Sequence, residues 1–99
     1  MKVSRTADRG ALRLTPAGEL DLATAEPLLA HVRTALAQRP DALVVDLREV
    51  TFCDSSGIGA LLDAYALATA AGTAFRIDGP RPVIRRSMQI TGVLGLLTG

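Results

Sequence analysis

The sequence predicts an α/β fold: a mixed, mainly parallel sheet of about four strands with helices packed against it, in the order β-β-α-β-α-β-α. Three observations carry this. Two long stretches repeat apolar residues at helical spacing, Ala25, Leu28, Leu29, Val32 and Leu36 in the first and Ile58, Leu61, Leu62, Tyr65 and Ala68 in the second. Between them, Ala42-Leu43-Val44-Val45 is a short continuous apolar run, as expected of a central strand covered on both faces. Strand–helix–strand succession then forces parallel neighbours with helices laid on the sheet.

Each element has its own local reason. Residues 3–6 and 11–14 read as two extended pieces of a hairpin turned at Asp8-Arg9-Gly10, with Leu12 and Leu14 on one side. After Pro16 and Gly18, either Asp21 or Thr24 can start the first helix, which runs to about Gln38 before Pro40-Asp41 breaks it. The second helix stops at Ala71-Gly72, where glycine supplies a left-handed terminus. Phe75-Arg76-Ile77-Asp78 is the next strand, Gly79-Pro80 a turn, and a third helical pattern runs from Pro82, which suits a first helical turn, through about Thr91.

Composition bounds the rest. The chain has 99 residues, the size of one domain, and residues 1–99 read as a single unit without repeats, linkers or low-complexity segments. Hydrophobic residues at 48% supply a real core, which excludes disorder. Eleven Lys+Arg against ten Asp+Glu leave a net charge of +1, too little for a broad cationic field, so direct nucleic-acid binding is not expected. One cysteine, Cys53, and one histidine, His31, build neither an intramolecular disulfide nor a Cys/His zinc cage, and no cofactor is expected. The opening MKVSRTADRG lacks an apolar signal core, and no apolar run approaches the roughly 20 residues needed to span a bilayer. A cytoplasmic domain without membrane insertion is the expectation.

The most unusual local feature is Phe52-Cys53-Asp54-Ser55-Ser56-Gly57-Ile58-Gly59, a strand-to-helix corner ahead of the second helix. Ser55 or Ser56 can accept a hydrogen bond from a free backbone N–H there, while Gly57 and Gly59 remove bulk where another surface approaches. On physical grounds alone the corner is a helix cap, and one whose helix N-terminus would tolerate a phosphate on either serine. Enzymatic readings fare worse. His31 falls inside the first helix and no Gly-x-Ser-x-Gly elbow exists, which argues against a hydrolase triad. Cys53 has no cationic neighbour in sequence to activate it and reads as a partly buried thiol. The only lysine, Lys2, is far from any glycine cluster, which excludes Walker-type chemistry, and Gly57-Ile58-Gly59 lacks the rest of a dinucleotide fingerprint. Arg81, Arg85 and Arg86 form a small basic cluster, read first as a solvated helix face and second as a docking contact.

The run from Asp46-Leu47-Arg48 through Asp54-Ser55-Ser56-Gly57-Ile58-Gly59-Ala60-Leu61-Leu62 resembles the signature of the STAS domain of bacterial anti-sigma-factor antagonists. Gly18-Glu19-Leu20-Asp21-Leu22 resembles the same family's earlier motif, and Pro82-Val83-Ile84-Arg85-Arg86 with Thr91-Gly92 its last helix and exit turn. The resemblance implies a STAS-like fold and a binding module instead of an enzyme. It implies that the unphosphorylated form binds an anti-sigma factor with serine kinase activity and frees its sigma factor. Phosphorylation at Ser55 would abolish that binding, and a separate serine phosphatase acting on Ser55 would restore it. It places Asp21, Asp54, Ser56 and Gly57 at the partner-binding surface, with Ser56 the structural neighbour of the acceptor. The alternative function is a non-switching STAS scaffold in a transport or signalling complex.

Overall fold

In the computed structural model, which describes residues 1–90 and 92–98, the chain opens as a hairpin of β1 (Lys2–Asp8) and β2 (Ala11–Leu20). Its turn is made by Arg9 and Gly10, both at positive φ, the dihedrals that match the twist of the flanking strands. β1 is antiparallel to β2, while β3 (Ala42–Asp46) and β4 (Val50–Cys53) run parallel to β2, and β5 (Ala74–Asp78) runs parallel to β3. The strand order is β1-β2-β3-β5, with β4 continuing alongside β2 where β3 leaves it. α1 (Leu22–Ala37), α2 (Ser55–Ala70) and α3 (Pro82–Ile90) follow the carboxyl ends of β2, β4 and β5, and α4 (Leu94–Thr98) packs behind them.

The expected α/β class, hairpin, central strand and three helices are present. β2 is longer than the sequence predicts, reaching Leu20 through Pro16 and Gly18. The reason lies in its partners: β3 pairs with β2 as far as Leu14 and β4 begins pairing at Gly18, so Pro16 sits opposite the gap, where no parallel neighbour needs its missing N–H. β4 and α4 are elements the sequence does not announce, and they make the sheet five-stranded. α3 ends at Ile90; the predicted last residue of that helix, Thr91, lies outside the described residues. α2 stops as expected, with Gly72 at φ +74 and the Gly72 N–H to Thr69 O and Thr73 N–H to Ala68 O bonds of a Schellman motif.

The helices cover one face of the sheet. In the β2–β3–β5 ladder the core takes Leu12, Leu14, Leu43, Val45, Phe75 and Ile77, which share a face by register, and packs them under Leu29, Val32 and Ala35 of α1, Leu61 and Ala64 of α2, and Ile84, Met88, Leu94 and Leu97. The opposite face carries Arg13, Val44, Asp46, Arg76 and Asp78. β3 is therefore buried on both faces, but by different means. Val44 is 3% exposed because its register neighbours are Arg13 and Arg76, and the Arg13 side chain runs past it to Asp46 (2.9 Å) and Asp78 (3.0 Å), its stem shielding the valine.

Candidate functional site

Because β2 and β4 are parallel neighbours, their carboxyl ends and the helices that follow them meet at one edge. Leu20 and Cys53 are register partners, so the next residues, Asp21 and Asp54, stand side by side, each the N-cap of a helix. The Asp54 N–H donates to Leu20 O at 3.3 Å, tying the two corners together. Asp21 accepts from the N–H groups of Ala23 (3.0 Å) and Thr24 (3.2 Å), and Thr24 Oγ1 accepts from the Asp21 N–H at 2.9 Å, a complete capping box. Thr24 Oγ1 also donates to Glu19 O at 2.8 Å. Among the described residues Asp54 makes a single side-chain bond, accepting from the Gly57 N–H at 3.0 Å.

The cap of α2 is thus the aspartate, and the expectation that Ser55 or Ser56 caps it is corrected. Asp54 has the extended backbone of an N-cap, whereas Ser55 is already the first helical residue, with a hydroxyl that has nothing to cap. Ser55 is exposed and Ser56 half-buried, and among the described residues neither hydroxyl forms a hydrogen bond. Gly57 is buried. A Cβ there would come within 2.5 Å of Leu20 O and 2.7 Å of Cys53 Sγ, so the surface it admits is the end of β2 and β4 under the first turn of α2. Gly59 has open space around it.

Burial, with Asp54 adding to it, pushes the Cys53 thiol up to about 11, which keeps it protonated at neutral pH and removes it as a nucleophile. His31 is exposed on α1, and among the described residues no hydrogen bond joins it to Asp54, Ser55 or Ser56. Among the described residues no group of His, Cys, Asp or Glu is arranged to hold a metal ion, and no helix is long and apolar enough to cross a membrane.

Two apolar side chains near the corner escape sequence reasoning. Leu22, at the first position of α1, is 80% exposed. Its spacing to Leu29 puts it on the buried stripe, but helical side chains lean toward the N-terminus and this one projects beyond the sheet edge. Phe52 is 47% exposed because Thr51 is an extra residue in β4: Val50 pairs with Gly18 but Phe52 with Glu19, and that bulge turns Phe52 onto the open face of the sheet. A third feature supports the corner from behind. Asp46, 3% exposed, accepts from the Arg48 N–H (3.0 Å) and from its guanidinium (2.6–3.1 Å) as well as from Arg13. It clamps the turn where β3 passes into β4. The Arg48 hydrogen bond, opposed by desolvation, holds its carboxyl below the usual carboxylate range.

Two helix N-termini stand side by side at the carboxyl edge of a mainly parallel sheet, with an unbonded serine at one of them. The chain belongs to the STAS domain family, whose model described as "Mlab, STAS domain" matches residues 1–98. It is similar to an anti-sigma F factor antagonist of Paenibacillus polymyxa, with 28% identity over 90 residues that cover 90% of this chain and 77% of that one. Among solved structures it is similar to the anti-sigma factor antagonist SpoIIAA in its unphosphorylated form (25% identity, TM-score 0.80, 99% of this chain and 86% of that one). It is likewise similar to an anti-sigma factor antagonist from Mycobacterium paratuberculosis (28% identity, TM-score 0.86, 97% and 81%).

Proposed function

We propose that the chain is an anti-sigma-factor antagonist switched at Ser55. In this reading the unmodified domain docks its corner onto an anti-sigma factor with serine kinase activity and displaces the sigma factor. The kinase moves the terminal phosphoryl group of ATP to Ser55 Oγ, and the modified domain is released until a phosphatase hydrolyses the ester. The observation that carries the reading is the Ser55 hydroxyl, exposed and unbonded at the first position of α2, directly after the Asp54 cap.

The electrostatics support the direction of the switch. Phosphorylation adds about −1.5 to −2 charge at neutral pH, next to the Asp54 carboxylate. Inside the domain the helix N-terminus tolerates that anion, so no refolding is required. In an interface built around a neutral hydroxyl, desolvation and like-charge repulsion of a few kcal/mol lower affinity by about a hundredfold or more. Relatedness supports it too, since SpoIIAA is solved in a phosphorylated as well as an unphosphorylated form (27% identity and TM-score 0.68 for the phosphorylated one).

The test is incubation with purified kinase-type anti-sigma factors and ATP, followed by mass spectrometry and by pull-down of both forms. Phosphate on Ser55 with capture lost is the expected result. Phosphate on Ser56 alone overturns the residue assignment, and equal capture of both forms makes the chain a constitutive scaffold.

A further inference from the structure

The basic cluster on α3 plays no part in the corner chemistry, and its setting is distinctive. Before Gly79 the chain carries eight Lys+Arg and ten Asp+Glu; from Gly79 onward it carries three arginines and no acid at all. α3 fastens to the core through Ile84 and Met88, which leaves an outer face with Arg86 at its centre, Val83 and Ile90 along one side, and Arg85 and Gln89 along the other. Val83 is 71% and Ile90 79% exposed, about two helical turns apart. Pro80, Pro82, Val83, Arg85, Arg86 and Gln89 line an open groove of about 500 Å³. Arg81 is tethered, its Nε donating to Arg48 O at 3.1 Å, but among the described residues neither Arg85 nor Arg86 has a carboxylate partner.

Two isolated apolar side chains on a surface helix are ordinary, and so are two solvated arginines. Their interleaving on one short face is not, because it offers desolvated area and uncompensated positive charge to the same visitor. We propose that the outer face of α3 is a second docking surface, for an acidic amphipathic segment of a partner protein whose carboxylates meet Arg85 and Arg86 while its apolar side chains cover Val83 and Ile90. Charge complementarity selects the occupant: a second copy docked α3 against α3 would bring the same acid-free segment, and a basic or neutral segment would leave both guanidinium groups unpaired. The surface is built from residues outside the Ser55 corner, so it operates whichever state that serine is in.

The isotope-labelled full chain, titrated with a short synthetic helical peptide of Glu and Leu and followed by amide NMR, tests this. Shifts confined to residues 81–90 are expected, with affinity falling about tenfold or more in R85E/R86E and several-fold in V83S/I90S. The Ser55→Asp chain should bind the peptide unchanged, which separates this surface from the switch. R85Q/R86Q retains side-chain bulk and controls for folding; it should weaken binding at an unchanged melting temperature. An equal response to the same peptide with Lys in place of Glu, or no shift on α3, overturns the proposal. Binding to phosphatidylglycerol vesicles in preference to the acidic peptide overturns it in favour of a lipid surface.

Discussion

α1 and α2 begin in the same way, each capped by an aspartate one residue past a paired position of neighbouring parallel strands, yet the two junctions are finished differently. At α1 the capping box is reciprocal, and Thr24 adds a bond back to Glu19, so the Asp21 and Thr24 side chains both bond within the fold. At α2 the aspartate makes one bond, and the residue that follows it is a serine with a hydroxyl left over. The difference teaches that the second corner is the one with chemistry to spare. Its cap secures the helix without consuming the hydroxyl, so that hydroxyl can be modified at little cost to folding.

The largest effect should come from putting charge where the spare hydroxyl is. Ser55→Asp is expected to weaken binding to the anti-sigma partner about a hundredfold, roughly 2.7 kcal/mol, with a melting temperature close to that of the parent, as calorimetry and titration would show. Ser55→Ala should bind fully and take no phosphate. A stability effect comes next. Gly57→Ala forces a methyl to within 2.5 Å of Leu20 O, a backbone atom that cannot swing aside. Overpacking of about 1–3 kcal/mol is expected, and for a domain of this size each kcal/mol lowers the melting temperature by about 4–8 °C.

Much of this was legible in the sequence because it is local. The stripes at Leu28, Leu29, Val32 and at Ile58, Leu61, Tyr65 reveal α1 and α2, since helical contacts recur every few residues. What was hidden depends on pairings distant along the chain. Arg13, Asp46 and Asp78 come from three strands, and only the sheet register makes them one ion-pair network that stands in for a second helical layer over Val44. The single extra residue Thr51 reverses Phe52, and no periodicity in a four-residue strand reports that. At the site, Asp54 and Ser55 were both visible, but which of them caps α2 is told only by which keeps the extended conformation.

Smaller effects test the two caps against each other. Asp21→Ala should cost about 1–2 kcal/mol because it removes the carboxylate that accepts from two N–H groups, while Asp54→Ala should cost about 0.5–1 kcal/mol for its single bond. Denaturant midpoints measure both. Asparagine separates capping from charge, since it also caps well. Asp21→Asn should keep most of the stability while weakening partner binding. If it keeps both, the Asp21 carboxylate serves the helix alone and the partner reads only the second corner.

The smallest effect concerns how the two junctions respond to acid. The first corner follows directly from β2, but the second is reached through the turn at 47–49, and that turn is held by Asp46 accepting from Arg48 and Arg13. The folded-state pKa of Asp46 lies below its unfolded value of about 3.9, so its contribution is complete above that pH and disappears as pH falls through the folded value. Arg48 is largely solvent-exposed, which screens part of the interaction and keeps the effect modest. Amide exchange followed below about pH 4 should therefore show the amides of β4 and the first turn of α2 losing protection before those of α1. Asp46→Asn should remove most of that pH-dependent difference and loosen the second corner at neutral pH as well. Equal loss of protection at both corners would mean that the clamp stabilises the sheet as a whole and does not set the second corner apart.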